Sequence, residues 1–227
     1  MSWKGHFLAL SQSNAFRKHS PFSHLTMAIR TIIFDLGGVL IDWNPRYVFR
    51  QIFETEEEVE KFLAEICTME WNHLHDEGQP LAVGTENLVA QHPEWESEIR
   101  AYYGRWEEML GGPIHESVEL LAHLRTSGQY RLLALTNWSA ETFPVALNRY
   151  EFLQWFEGIV VSGDEKVAKP EAEIFQRLMD RYEVKPEEAV FIDDSPKNVE
   201  GAQAVGMKAI HFRSPMQLRE ELAELLG

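Results

Sequence analysis

The stretch TIIFDLGGVLIDWNP, Thr31 to Pro45, decides how the rest of the chain is read. Its first part is a short apolar run, rich in β-branched residues, and reads as a buried strand. The run stops on a carboxylate, Asp35. Gly37 and Gly38 follow, then a second apolar run, then Asp42 and Pro45. Glycines at such a turn let the backbone bend tightly and let a ligand come close to it.

Working outward, the segment from Pro45 to about Gly112 reads as wholly helical, closed by the break Gly111-Gly112-Pro113. Within it, Thr55 and Glu58 have the spacing of a capping box, which Ser195 and Asn198 match only loosely. Beyond Pro113, strand and helix alternate. RLLALTN, GIVVSG, AVFIDD and KAIHF read as strands. ESVELLAHLRTSG, AETFPVALNRY, PEAEIFQRLMDRYE, SPKNVEGAQAVG and SPMQLREELAELLG read as helices, with Pro170 at the start of the third. Repeated strand–helix units imply an α/β fold, a parallel sheet covered on both faces.

In an open sheet of this kind, ligands sit beyond the carboxyl ends of the strands. Asp35 ends the first strand, Thr136 and Asn137 the second, and Asp193 and Asp194 the fourth. Lys169 lies in the loop after the third. Groups far apart in sequence therefore converge on one crevice. A carboxylate there can attack a phosphorus centre. Three clustered acids need a hard cation, and Mg²⁺ takes carboxylate, water and substrate oxygens. Lys169 can neutralise the phosphoryl group, and the Thr136 hydroxyl can hold its oxygens.

FDLGGVL, LLALTN, KPEAEIF and VFIDDSPKNVEGA, in that order, resemble the four motifs of the haloacid dehalogenase-like (HAD) hydrolase superfamily. The resemblance runs from Thr31 to the C-terminus. It implies a Rossmann-like core at 30–44 and 113–227, with 45–112 as the α-helical cap of subfamily I. It implies Asp35 as nucleophile and Thr136, Asn137, Gly38 and Lys169 around the substrate phosphate. Mg²⁺ would be held by Asp35, the Gly37 carbonyl, Asp193 and Asp194. The flavour of the first motif is similar to the branch with α-glucose-1-phosphatase and the phosphatase domain of soluble epoxide hydrolase. The expected activity is hydrolysis of a small phosphorylated metabolite, such as a sugar phosphate, through an aspartyl-phosphate.

One departure stands out. Phosphatases of this superfamily mostly carry a second Asp two positions after the nucleophile, as acid and then base. Here that position is Gly37. The branch with α-glucose-1-phosphatase also has Gly there. Asp42, His73, His75 and Asp76 are the candidate substitutes. His73-x-His75 has no further ligands nearby and reads as cap surface rather than a metal pair. Trp43, Trp71 and Trp138 are candidate pocket walls. Two other functions fit the motifs less well: a 2-haloacid dehalogenase using Asp35 without metal, and a weakly catalytic binding or regulatory protein.

The global composition agrees with a small-molecule enzyme. The chain has 227 residues, a 44% hydrophobic fraction and a net charge of −15. So acidic a chain repels phosphate backbones, which argues against nucleic acid as a partner. No apolar run is long enough to span a bilayer. Cys67 is the sole cysteine, so no intrachain disulfide forms. A cytoplasmic monomer or homodimer is expected. Residues 1–29 contain no Asp or Glu and read as an extension upstream of Met27, expected to be poorly ordered.

Overall fold

The computed structural model describes residues 28–227. Residues 1–27, nearly all of the expected extension, lie outside the described residues. The chain starts with β1 (Thr31–Phe34) and turns into β2 (Ile41–Trp43). Five helices follow: α1 (Arg46–Phe49), α2 (Glu56–Glu65), α3 (Met69–Asp76), α4 (Leu81–Gln91) and α5 (Glu96–Gly104). The chain returns through β3 (Leu110–Pro113). It then alternates through α6 (His115–Ser127), β4 (Arg131–Thr136), α7 (Phe143–Arg149), β5 (Gly158–Val161), α8 (Ser162–Glu165) and α9 (Ala172–Tyr182). It closes with β6 (Ala189–Asp193), α10 (Pro196–Ala204), β7 (Lys208–His211) and α11 (Pro215–Leu226).

The expected α/β, Rossmann-like architecture is present. Five strands form one parallel sheet in the order β5-β4-β1-β6-β7. Alternate side chains of each strand face opposite sides. Ile32 and Phe34 of β1, with Val190 and Ile192 of β6, join the core that includes Leu121 of α6 and Leu218 of α11. Ile33 and Phe191 point the other way, onto Ile174, Phe175 and Leu178 of α9. A strand buried on both faces is a continuous apolar run, as TIIF and AVFI are.

The central strand is β1, and the chain fills the sheet outward from it in both directions. Phe34 stands level with Ala134 and Ile192. Asp35 therefore leaves the sheet where its neighbours lead to opposite edges, the switch point at which open α/β sheets bind ligands.

The helical segment after β1 differs from its expected form at both ends. It is not wholly helical to Gly112. Leu110–Pro113 pairs antiparallel with Ile41–Trp43, so a two-stranded ribbon carries the five helices. Glycine and proline are poor strand formers, and LGGP becomes a strand only because β2 is there to pair with it. Inside the insert, Phe49, Phe62 and Tyr102 pack as aromatic neighbours.

The capping box at Thr55–Glu58 opens α2. A second box, Ser214–Gln217, opens α11. Ser195 makes no side-chain cap, and Asn198 has another partner, described below. Pro170 does not begin its helix: the Lys169–Pro170 bond is cis and α9 starts at Ala172. No helix among the described residues is long and apolar enough to cross a membrane.

Candidate active site

The carboxyl ends of β1, β4 and β6 bring together Asp35, Thr136, Lys169, Asp193 and Asp194. Lys169 lies at the centre. Its ammonium donates to Asp193 Oδ2 at 2.7 Å and to the Leu135 carbonyl at 2.9 Å, and it meets Asp35 Oδ1 at 3.0 Å. Lys169 is 1% exposed and Asp193 0%, so this contact is dry. Removing charges from water is costly unless each finds partners, and these do.

Asn137 fixes the lysine from behind. Its side-chain oxygen accepts the Lys169 backbone N–H at 2.9 Å, and its amide donates to the Lys169 carbonyl at 3.0 Å. Expected as a substrate contact, Asn137 lines the cavity but spends both polar atoms on this clasp.

Asp193 and Asp194 diverge. Asp193 turns inward and accepts from Lys169, from the Ser195 backbone N–H at 2.8 Å and from the Asn198 amide at 3.0 and 3.1 Å. Asp194 faces the cavity. The Asn198 contact escaped the sequence reading, whose one signal was its loose pairing with Ser195.

Asp35 is 8% exposed. Its Oδ1 accepts the Leu36 N–H at 2.7 Å and meets Lys169, which leaves Oδ2 free of hydrogen bonds among the described residues. Burial pushes its pKa up to about 7; Lys169 opposes the rise, and Asp193 and Asp194 add to it. Burial also raises Asp194. Desolvation pulls Lys169 down, but Asp193 and Asp35 outweigh it and leave the ammonium above its ordinary value.

Two carboxylates thus share one lysine, and an oxygen from each of Asp35, Asp193 and Asp194 lies within 4.8 Å of the others. The donors are all hard oxygens, a set that fits Mg²⁺. The twin glycines differ in what they allow. Gly38 has φ +72°, and a Cβ there would strike the Asp194 carboxylate. Gly37 has open space where its Cβ would be.

Above these groups is a cavity of about 370 Å³. Asp35, Gly37, Gly38, Thr136 and Asp194 form its floor, and Trp43, Met69, Tyr103, Trp106 and Trp138 supply most of its apolar wall. Of the three tryptophans expected there, Trp43 and Trp138 line it. Trp71 instead packs against Tyr102 and donates to the Gly84 carbonyl. His73 and His75 do not form a pair: His73 reaches the cavity, while His75 is buried within the insert. Tyr103, Trp106 and Met69 escaped the sequence reading, because helical spacing does not show which turn overhangs a neighbouring sheet.

Comparison with known proteins agrees with this geometry. The sequence profile of the haloacid dehalogenase-like hydrolases matches residues 29–206. A sesquiterpene phosphatase of Aspergillus oryzae is 28% identical over 87% of this chain and 97% of its own length. A phosphorylated carbohydrates phosphatase of Thermotoga maritima is 24% identical over 81% of this chain and 84% of its own. A HAD family enzyme of Bacteroides thetaiotaomicron, solved with magnesium and inorganic phosphate, superposes with a TM-score of 0.64 at 22% identity. That match covers 82% of this chain and 95% of that one, and shows a shared fold. The matched profile spans the floor of the cavity and four of the five strands of the parallel sheet, all but β7, and the chain belongs to the haloacid dehalogenase-like hydrolase family.

Proposed function

We propose that this hydrolase is a Mg²⁺-dependent phosphomonoesterase that works through an aspartyl-phosphate on Asp35. The observation that carries this is the packing of three carboxylates and one buried lysine into a single small volume at the strand ends. Mg²⁺, when bound there, would neutralise the phosphoryl oxygens and hold the ester in line. Asp35 and Asp194, whose carboxylates approach each other at the strand ends, would hold it together with the Gly37 carbonyl that the family resemblance implies. Asp193 is within reach, but its oxygens are engaged by Lys169, Ser195 and Asn198, so its part is to anchor the lysine.

Asp35 attacks phosphorus with the oxygen that Leu36 and Lys169 leave free. The Lys169 ammonium offsets charge on the nucleophile and then on the acyl-phosphate. Thr136, buried at the end of β4, offers its hydroxyl to a phosphoryl oxygen. Water then releases phosphate and restores Asp35. A 2-haloacid dehalogenase using Asp35 would have no use for the stacked acids, so the phosphatase is favoured.

The wall speaks to the alcohol. Several of its polar atoms are already paired: Tyr103 Oη donates to Asn72 at 3.0 Å, and Trp138 Nε1 donates to Thr142 at 3.1 Å. What remains toward the cavity is largely aromatic face, which suits an apolar alcohol or the C–H face of a sugar. The sesquiterpene and carbohydrate phosphatases among the relatives bracket this choice.

The test is phosphate release from farnesyl phosphate, glucose 1-phosphate and p-nitrophenyl phosphate, with Mg²⁺ or EDTA, for the wild type and Asp35→Asn. Metal-dependent turnover that Asp35→Asn loses supports the proposal, and the panel ranks the alcohols. Silence on every ester sinks it and turns attention to halide release and ligand binding.

A further inference from the structure

Gly37 leaves the leaving-group oxygen without a proton donor, and four side chains were candidates to replace it. The structure separates them. Asp42 lies off the cavity, and its carboxylate takes the Tyr47 hydroxyl. His75 is fully buried, with Nδ1 against the Gln79 carbonyl at 3.2 Å and its ring edge-on to Trp71 and Tyr103. His73 reaches the cavity, but its side chain is 40% exposed and Nε2 faces Glu77 at 3.5 Å.

Asp76 alone combines the needed properties. It lines the same cavity as Asp35 and Asp194 yet stands outside the cluster of carboxylates suited to a cation. Two elements fix its orientation. The Asn72 amide donates to Oδ2 at 3.1 Å, and Asn72 is itself held by the Tyr103 hydroxyl. The Ser139 backbone amide, from the loop after β4, faces the same carboxylate and lowers its pKa. A reacting group oriented by a partner that is oriented in turn is the arrangement acid–base catalysis requires.

We propose that Asp76 is the general acid and base of this enzyme, reaching from the insert to the reacting oxygen in place of the side chain absent at Gly37. The inference rests on the phosphatase reading above. In the first step the Asp35 oxygen forms a bond to phosphorus. The bond from phosphorus to the ester oxygen breaks, and the Asp76 carboxyl gives its proton to that oxygen, freeing the alcohol. In the second step the Asp76 carboxylate takes a proton from water, and the water oxygen bonds to phosphorus. The bond from phosphorus to Asp35 breaks, and phosphate leaves with both aspartates restored.

The surroundings of Asp76 suit both steps. Burial raises its pKa to about 7; Lys169 and the Ser139 N–H lower it and Glu77 raises it. The other charged or titratable groups around the cavity are His73 from α3, Tyr103 from α5, and Asp35 and Asp194 on the floor. A carboxyl titrating there can give and take a proton at neutral pH.

The experiment uses the full chain with Mg²⁺ and two esters, p-nitrophenyl phosphate and phenethyl phosphate. Phenethyl alcohol leaves poorly without a proton and nitrophenol leaves well. Asp76→Asn is expected to lower kcat on the phenethyl ester by roughly 10²- to 10⁴-fold. It should also flatten the alkaline limb of the pH profile and give a stoichiometric burst of nitrophenol as phosphoenzyme accumulates. Gly37→Asp, placed in Asp76→Asn, should restore steady turnover, since the space beside Gly37 is open. A merely structural role for Asp76 would not be rescued from position 37. Wild-type turnover that Asp76→Asn leaves unchanged, or a folded double variant with no recovery, overturns the proposal while leaving the phosphatase intact. A wild type silent on both esters overturns the phosphatase itself.

Discussion

The floor and the wall of the cavity are built on opposite terms. At the base of the floor, Lys169 and Asp193 are buried and paired: Lys169 contacts Asp35, Asp193 and the Leu135 carbonyl, while Asp35 Oδ2 and the exposed Asp194 carboxylate are left toward the cavity. The wall is aromatic and partly open, with Met69 56% exposed at its edge. A dry ionic cluster such as Lys169 with Asp35 and Asp193 tolerates almost no change, because each of these members needs the others. An aromatic wall can exchange members and keep its character. The charged cluster is thus fixed to the sheet, and most of the apolar wall comes from the insert.

The sharpest way to break this contrast is to remove the lysine. Lys169→Met leaves Asp35 and Asp193 buried without their cation. It should cost about 3–5 kcal/mol of stability, read as a lower urea midpoint, together with loss of turnover. A midpoint close to wild type would show that the floor is wetter than its burial indicates.

The twin glycines come next. Gly38→Ala must place a Cβ at φ +72° and against the Asp194 carboxylate. It should cost about 1–3 kcal/mol and weaken Mg²⁺ binding. Gly37→Ala meets nothing within reach and should stay within about 0.5 kcal/mol of wild type. Equal effects at both positions would contradict the turn described here.

The wall should respond in selectivity, with a stability cost only where a member such as Trp106 is also buried in the core. Trp106→Leu removes aromatic face from the cavity and is expected to raise KM for a bulky apolar ester by roughly tenfold, with kcat for p-nitrophenyl phosphate little changed. A matching fall in kcat for every ester would place Trp106 in the chemistry instead.

Asp76 lies where the two regions meet and gives a pH signature. Its carboxyl is raised from 3.8 to about 7 by burial, so the folded state holds the proton more tightly than the unfolded chain. Its contribution to stability therefore declines as pH rises from about 4 to about 7. Asp76→Asn, which carries no such charge, should gain Tm relative to wild type across that interval and keep a constant difference above it. A Tm difference independent of pH would refute the shift. The smallest effect is reserved for the exterior of the insert. Glu60→Gln breaks the exposed pair with Arg46 and should leave the urea midpoint unchanged.

How much of this was legible in the sequence follows the same division. TIIFD and AVFIDD announce themselves, because a strand buried on both faces has no polar residue until it leaves the sheet. The first polar side chain therefore marks the site. Asp35, Thr136 and Asp193 stand at strand ends by that rule, whereas Lys169, in the loop after β5, was legible only through its motif. The ribbon was not legible: LGGP has no strand character of its own, and its partner lies at the far end of the insert. Nor was the wall. Tyr102 and Tyr103 are adjacent, yet one is buried inside the insert and the other faces the cavity. Nothing in α5 records where the sheet lies. The partners of Asn137 and Asn198 were not legible, because a short amide beside a helix start has many possible partners and only the fold selects one.

The ribbon has a consequence of a different kind. Ile41 pairs with Pro113 and Asp42 with Gly112, so the chain leaves the sheet and comes back to it at adjacent points. Whatever lies between them closes a loop whose ends are already tied, and the cost of closing it grows only slowly with length. The five helices can therefore be treated as a cassette. Lengthening, shortening or exchanging them leaves the strand order untouched, so new pocket walls can be tried by recombination at two neighbouring positions, with the carboxylates and lysine at the strand ends left in place and only the α3 turn that carries Asp76 to be kept.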